Sequence, residues 1–244
     1  MSFVFNFLMG MNMETKPNLL SALLLSGAVS LLTMGSATAG VILSPTAATI
    51  NSGGPGFGSI TDTINQSGLS SIFTSGVTDF ATYIAGNPTH TSVFAGNEWF
   101  SNSGTTSASV TYDLGAEYNV LQLALWNEEG SGIGLLDLFS STDGSNFSAL
   151  ASGLIPTDHA TSVTSYLADV FTLTATNARY IRFDMSSCPQ PNSIFDACAI
   201  GEVAFDVTAA NGGGNNTVPE PGSLALLGLG ILGLAAARRR KQAI

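Results

Sequence analysis

The chain of 244 residues holds two histidines, His90 and His159, and this scarcity restricts the chemistry it could perform. Neither stands in a His-Glu-x-x-His metal-binding run or beside a Gly-x-Ser-x-Gly nucleophile turn. Asp158 and His159, with Ser162 close behind, are the residue types of a hydrolytic triad. A triad is defined by spatial geometry, however, and this stretch, rich in Thr and Ser, reads as a solvated loop. Glu128 and Glu129 are the residue types of a glycosidase pair, but neighbours on a strand point to opposite faces and would not bracket one bond. The Gly-rich stretches lack the Lys-Ser/Thr ending of a phosphate-binding loop. Cys188 and Cys198 are the only cysteines. Two thiolates do not complete the four ligands of zinc, so a disulfide is the expectation if the chain is exported. The sequence therefore predicts no enzyme.

Charge narrows the partners further. All but two of the 17 acidic residues (Glu14 and Glu220) lie between 40 and 217, where Arg179 and Arg182 are the only basic side chains, a net charge of −13. A nucleic acid, whose phosphates need clustered Lys and Arg, is excluded as a partner.

The two ends read as processing segments. Lys16 precedes an apolar run through Leu19, Leu25 and Leu32 that closes on Ala37-Thr-Ala39, the pattern of a secretory signal peptide, with cleavage leaving Gly40 as the first mature residue. Met1, Met11 and Met13 are alternative starts. At the other end, residues 208–217 are a Gly/Asn-rich linker. Pro219-Glu220-Pro221 follows, then an apolar helix over about 223–237, and then Arg238-Arg239-Arg240-Lys241. About 15 helical residues span only ~22 Å of a ~30 Å hydrocarbon core, so crossing would need snorkelling or local thinning. The four cations would stay cytoplasmic and leave the body outside the inner membrane. This order of elements, Thr217 to Lys241, resembles the PEP-CTERM protein-sorting signal of Gram-negative bacteria. The resemblance implies processing by an exosortase as well as signal peptidase, with Pro219, Glu220 and Pro221 as the recognised tripeptide. It also implies transient anchoring in the inner membrane, then release to the surface or matrix of a cell that makes exopolysaccharide.

Residues 40–207 alternate with a period of two. Val110, Tyr112 and Leu114 oppose Thr111 and Asp113; Leu121, Leu123 and Leu125 oppose Gln122, Ala124 and Trp126; Ile181, Phe183 and Met185 oppose Arg182 and Asp184; Val203, Phe205 and Val207 oppose Glu202 and Asp206. Half-buried strands separated by Gly, Asn and Ser clusters build an all-β sandwich, and Asp143-Gly144 suits a hairpin turn. Five of these pieces, from Val110-Thr-Tyr-Asp-Leu-Gly115 to Ile200-Gly-Glu-Val-Ala-Phe205, occur in the order of a discoidin, or coagulation factor 5/8 type C, domain. That resemblance implies a galactose-binding-like jelly roll. It also implies a calcium ion on the glutamate matching Glu202, with Asp62 and Asp79 as partners by residue type alone; an ordinary surface carboxylate or a partner of Arg182 is the other reading of Glu202. Glycans in such domains meet loop aromatics, for which Trp99, Phe100 and Tyr83 are the candidates; packing in the core is the other reading of Trp99.

The expected function is that of an exported, non-catalytic protein binding exopolysaccharide or another glycan. A structural matrix protein without a specific ligand and a secreted hydrolase are the alternatives. If both ends are processing segments, the intact mass of the protein from its native host will lack residues 1–39 and the sorting helix; a full-length chain in the envelope would refute this.

Overall fold

The computed structural model describes residues 40–210, which form an antiparallel β-sandwich. The expected signal peptide, with Ala37 and Ala39, and the segment carrying Pro219 to Pro221 and Arg238 to Lys241 lie outside the described residues.

Two long strands organise the fold: β5 (Ala108–Asn127) and β9 (Asp169–Ser186) pair along nearly their whole length. The register jumps between Asp113↔Tyr180 and Tyr118↔Ala178, and here the ladder turns a corner. Gly115 holds φ +86° at the corner, a conformation that costs glycine little and other residues much. Arg179 clasps the same point with two hydrogen bonds to Asp113, each 2.9 Å. Before the corner, β5 pairs with β2 (Ala47–Ser52), while the end of β9 pairs with β6 (Leu135–Ser141), which continues to β7 (Ser148–Leu154). Beyond the corner, β5 pairs with β10 (Ala199–Ala209), flanked by β1 (Val41–Leu43). Each long strand thus belongs to both layers.

The core fills the space between them. Tyr112 meets Phe183 edge-on at 5.0 Å, and Phe183 reaches Phe205 of the opposite layer at 6.4 Å. Leu123, Leu125, Val203 and Val207 complete that inner face. Alternation in the sequence identifies these strands correctly except at Leu121. A β-bulge there puts Val120 into the core and leaves Leu121 half-buried. The hairpin forms where Asp143-Gly144 predicts it, Asp143 accepting the backbone N–H groups of Ser145 and Asn146 at 2.8 Å.

The outer faces differ. That of the first layer presents Arg182, bonded to Asp184 at 3.1 Å and stacked on Phe139 and Phe147. That of the second is covered by residues between Ile60 and His90, including α1 (Phe80–Ala85), with β3 (Thr89–Thr91) paired to β8 (Ser165–Leu167); the 3-10 helix Ile60–Ile64 that begins this stretch packs instead against the core between the layers. Ile42, Phe73, Phe80, Tyr83, Ala124, Trp126, Tyr166 and Ala204 make a second core under this cover. Trp126, from the face opposite Leu125, is sealed in by its Nε1–H bond to Pro88 O.

Cys188 and Cys198 are bonded to each other, as expected. Closing the loop they bound, ten residues apart in sequence, contributes about 2–3 kcal/mol in the chain-entropy picture.

Candidate functional site

The aromatic residues singled out from the sequence lie inside. Trp99 and Phe100 form β4, paired to Ala199 and Ile200 at the start of β10, rather than a loop. Trp99 is 0% exposed and donates Nε1–H to Pro55 O at 2.9 Å, so it has no free face for a sugar ring. Tyr83 sits in α1 against Phe73 and donates its hydroxyl to Ser71 O. Phe100 is buried as well, but it forms the floor of a cleft.

Three phenylalanines from separate loops surround that floor. Phe57 exchanges backbone hydrogen bonds with Phe100 (2.8 and 2.9 Å); Phe94 and Phe195 stand edge-on to the Phe100 ring at 5.2 and 5.9 Å. They remain 61%, 43% and 55% exposed, respectively, around a cleft of about 400 Å³. Ser101, Ser103 and Asp196 supply polar groups at its edge. The loop carrying Phe195 and Asp196 is the one closed by the disulfide, and Ser101 Oγ accepts the N–H of Cys198 at 2.8 Å. Aromatic rings with free faces beside a few hydroxyl and carboxylate groups suit a ligand with an apolar side and a polar rim.

Immediately behind the cleft lies a group of carboxylates. The strand ends at Asn127, so Glu128 and Glu129 are not on alternating faces, and the chain turns both inward to meet Glu98. One oxygen from each lies within 4.8 Å of the others. Glu98 Oε1 accepts the Tyr166 hydroxyl at 2.9 Å and lies 3.6 Å from His90 Nδ1. Glu128 accepts the N–H groups of Gly130 and Ser131. Burial, together with the neighbouring Glu129 and Glu98, pushes Glu128 up to about 9; burial also raises Glu129. Oxygens this close and this deeply enclosed do not leave room for a glycosidic bond between them.

Glu202, in β10, is fully buried under the Ile60 to His90 cover. Its Oε2 accepts Gln66 N–H at 2.9 Å; Oε1 has no partner, and burial raises its pKa well above the usual range. The nearby charge of Asp62 adds to that rise. Asp79 is occupied elsewhere, capping α1 through Thr82 N–H at 2.7 Å. No triad forms: His159 Nε2 has no partner and Asp158 Oδ2 accepts from Asn192 N.

Residues 217–241 match the family model of the PEP-CTERM protein-sorting motif, so the chain carries the sorting signal of an exported protein. No curated protein matches the chain. Among solved structures, it is similar to a mutant of chitosan-binding module 1 from a chitosanase/glucanase of Paenibacillus sp. IK-5 (17% identity, 68% of this chain and 98% of that one, TM-score 0.45). It is also similar to CpGH89CBM32-5 of Clostridium perfringens in complex with GalNAc-β-1,3-galactose (16%, 66% and 94%, TM-score 0.43). A third is the CBM32 of AlyQ in complex with 4,5-unsaturated mannuronic acid (18%, 67% and 96%, TM-score 0.41).

Trp99→Ala will read as a core deletion. It should cost about 3–5 kcal/mol in denaturant unfolding, and an unchanged midpoint would show that the ring is not the core anchor described.

Proposed function

We propose that this protein is a non-catalytic glycan-binding protein of the cell surface or extracellular matrix, exported by signal peptidase and exosortase processing, with the Phe57, Phe94, Phe100 and Phe195 cleft as its ligand site. The observation that carries the reading is the set of three exposed rings over a buried fourth. An isolated exposed phenylalanine is ordinary surface, but rings from three loops around one cleft are a contiguous apolar patch, and such patches mark interaction sites. The C–H face of a pyranose ring stacks on phenylalanine, while its hydroxyls find Asp196 and Ser103 at the edge. The net charge of the body favours a neutral polymer over an acidic one, most strongly at low salt.

Phe195→Ala or Phe94→Ala should weaken binding to a neutral polysaccharide by about 1–3 kcal/mol and leave the thermal midpoint nearly unchanged, both rings being half exposed. Calorimetry against a panel of neutral and acidic polysaccharides reads this. A flat response across the panel would favour the purely structural matrix protein.

Glu202 is the proposed ligand of a structural calcium. Its unpartnered buried Oε1 and the adjacent Asp62 fit an ion that takes six to eight oxygens, and the ion would tie the Ile60 to His90 cover to β10. Glu202→Gln should then bind one calcium ion fewer by calorimetry; unchanged stoichiometry would remove the ion from that position.

A further inference from the structure

We propose that Glu98, Glu128 and Glu129 form a second cation site, distinct from Glu202, for a hard divalent ion such as calcium. Three carboxylates converge in the interior, while both arginines of the described body are engaged elsewhere, Arg179 with Asp113 and Arg182 with Asp184. Among the described residues, the basic side chain against this cluster is His90, whose ring nitrogens also meet the carbonyl oxygens of Thr91 and Ser67 at 2.8 and 3.1 Å. A single imidazole cannot balance three carboxylates removed from water.

The second observation is the unfilled acceptors. Glu98 is 0% exposed and its Oε2 has no hydrogen-bond partner; Glu129 is 8% exposed and its Oε2 has none either. Buried carboxylate oxygens left without a donor are costly, and oxygens that face one another across a few ångströms have no donor to share except a cation or a proton. Glu128 differs: two backbone N–H groups hold its carboxylate in place, and each of its oxygens keeps a lone pair free. The separation is close to what an ion needs. Three oxygens within 4.8 Å of one another lie no more than about 2.8 Å from a common point, so a small inward shift brings them to the 2.3–2.6 Å of a calcium–oxygen bond. A donor set of carboxylates alone favours calcium over the softer metals that take thiolate or imidazole.

The position gives the ion a task. Gly130 N binds Glu128 Oε1 at 2.8 Å, and Gly130 O accepts the N–H groups of Ile194 and Phe195 at 3.0 and 2.9 Å. A Cβ on Gly130 would stand 2.9 Å from Glu128 Oε1 and 3.1 Å from the Phe195 ring, so carboxylate and cleft wall are separated by one residue's thickness. An ion that fixes Glu128 therefore fixes the loop on which Phe195 hangs.

The test uses the full chain, stripped by chelator, and needs no glycan, so its failure is distinguishable from failure of the glycan-binding reading. In the Glu202→Gln background, calcium should still raise the thermal midpoint, by about 5 °C or more at a hundredfold excess over Kd. Adding Glu129→Gln, the substitution at the least buried of the three carboxylates, should weaken that calcium binding at least ~10-fold. The proposal is overturned if Glu202→Gln alone abolishes the response, if calcium does not stabilise the wild-type chain, or if Glu129→Gln leaves affinity and stoichiometry unchanged, as it would were the cluster held by shared protons. Should Glu202→Gln fail to fold, terbium titration of the wild-type and Glu129→Gln chains decides: loss of one bound ion supports the site, and equal stoichiometry and affinity refute it.

Discussion

The pairing of β5 with β9 is the constraint on which the rest of the molecule depends. Because the ladder turns its corner between Asp113 and Tyr118 without ending, one pair of strands supplies the middle of both layers. The two inner faces are therefore held at a fixed register, and the stack of Tyr112, Phe183 and Phe205 forms across the gap. Hydrophobic burial between the layers is the main stabilising contribution, but it can be collected only if both sheets keep their alternation in phase. Gly115 and the Arg179 to Asp113 clasp sit where phase would most easily be lost, although the clasp, being partly exposed, contributes modestly in energy.

The second constraint is the unequal treatment of the outer faces. Alternation leaves polar residues on the outside of each sheet, and on the first layer water solvates them. On the second layer the Ile60 to His90 cover excludes water, so Glu202 and Asp206 become interior groups although their spacing is that of surface residues. The raised pKa values of both follow from that desolvation. A sandwich that adds a third layer over a half-polar face must find donors or cations for what it encloses, and the unfilled oxygens of Glu202, Glu98 and Glu129 show where hydrogen bonding alone does not suffice.

What could be read from the sequence divides along the same line. Strands, hairpin and disulfide were legible because their signals are local: period-two alternation, Asp143-Gly144, and a single pair of cysteines. The sorting motif was legible for the same reason, its elements being contiguous. The cleft was not. Phe57, Phe94 and Phe195 lie in three loops far apart in sequence, and only the pairing of β4 with β10 and the Phe57 bridge to Phe100 bring them together. Trp99 misled because a two-residue strand between Asn97 and Ser101 has no period to detect. Glu128 and Glu129 misled because the reading extended the strand rule past Asn127, where β5 ends.

The course of β10 also sets a direction for the whole body. Its first residues, Ala199 and Ile200, pair with Trp99 and Phe100 at the cleft, and its last, Ala209, leads into the residues that carry the sorting motif. The ten steps between them cover roughly 30 Å at about 3.3 Å per residue. Val41 lies beside Val207, so the chain enters and leaves at the same end. Among the described residues, then, the chain enters and leaves at one end of the sandwich and the aromatic cleft opens at the other.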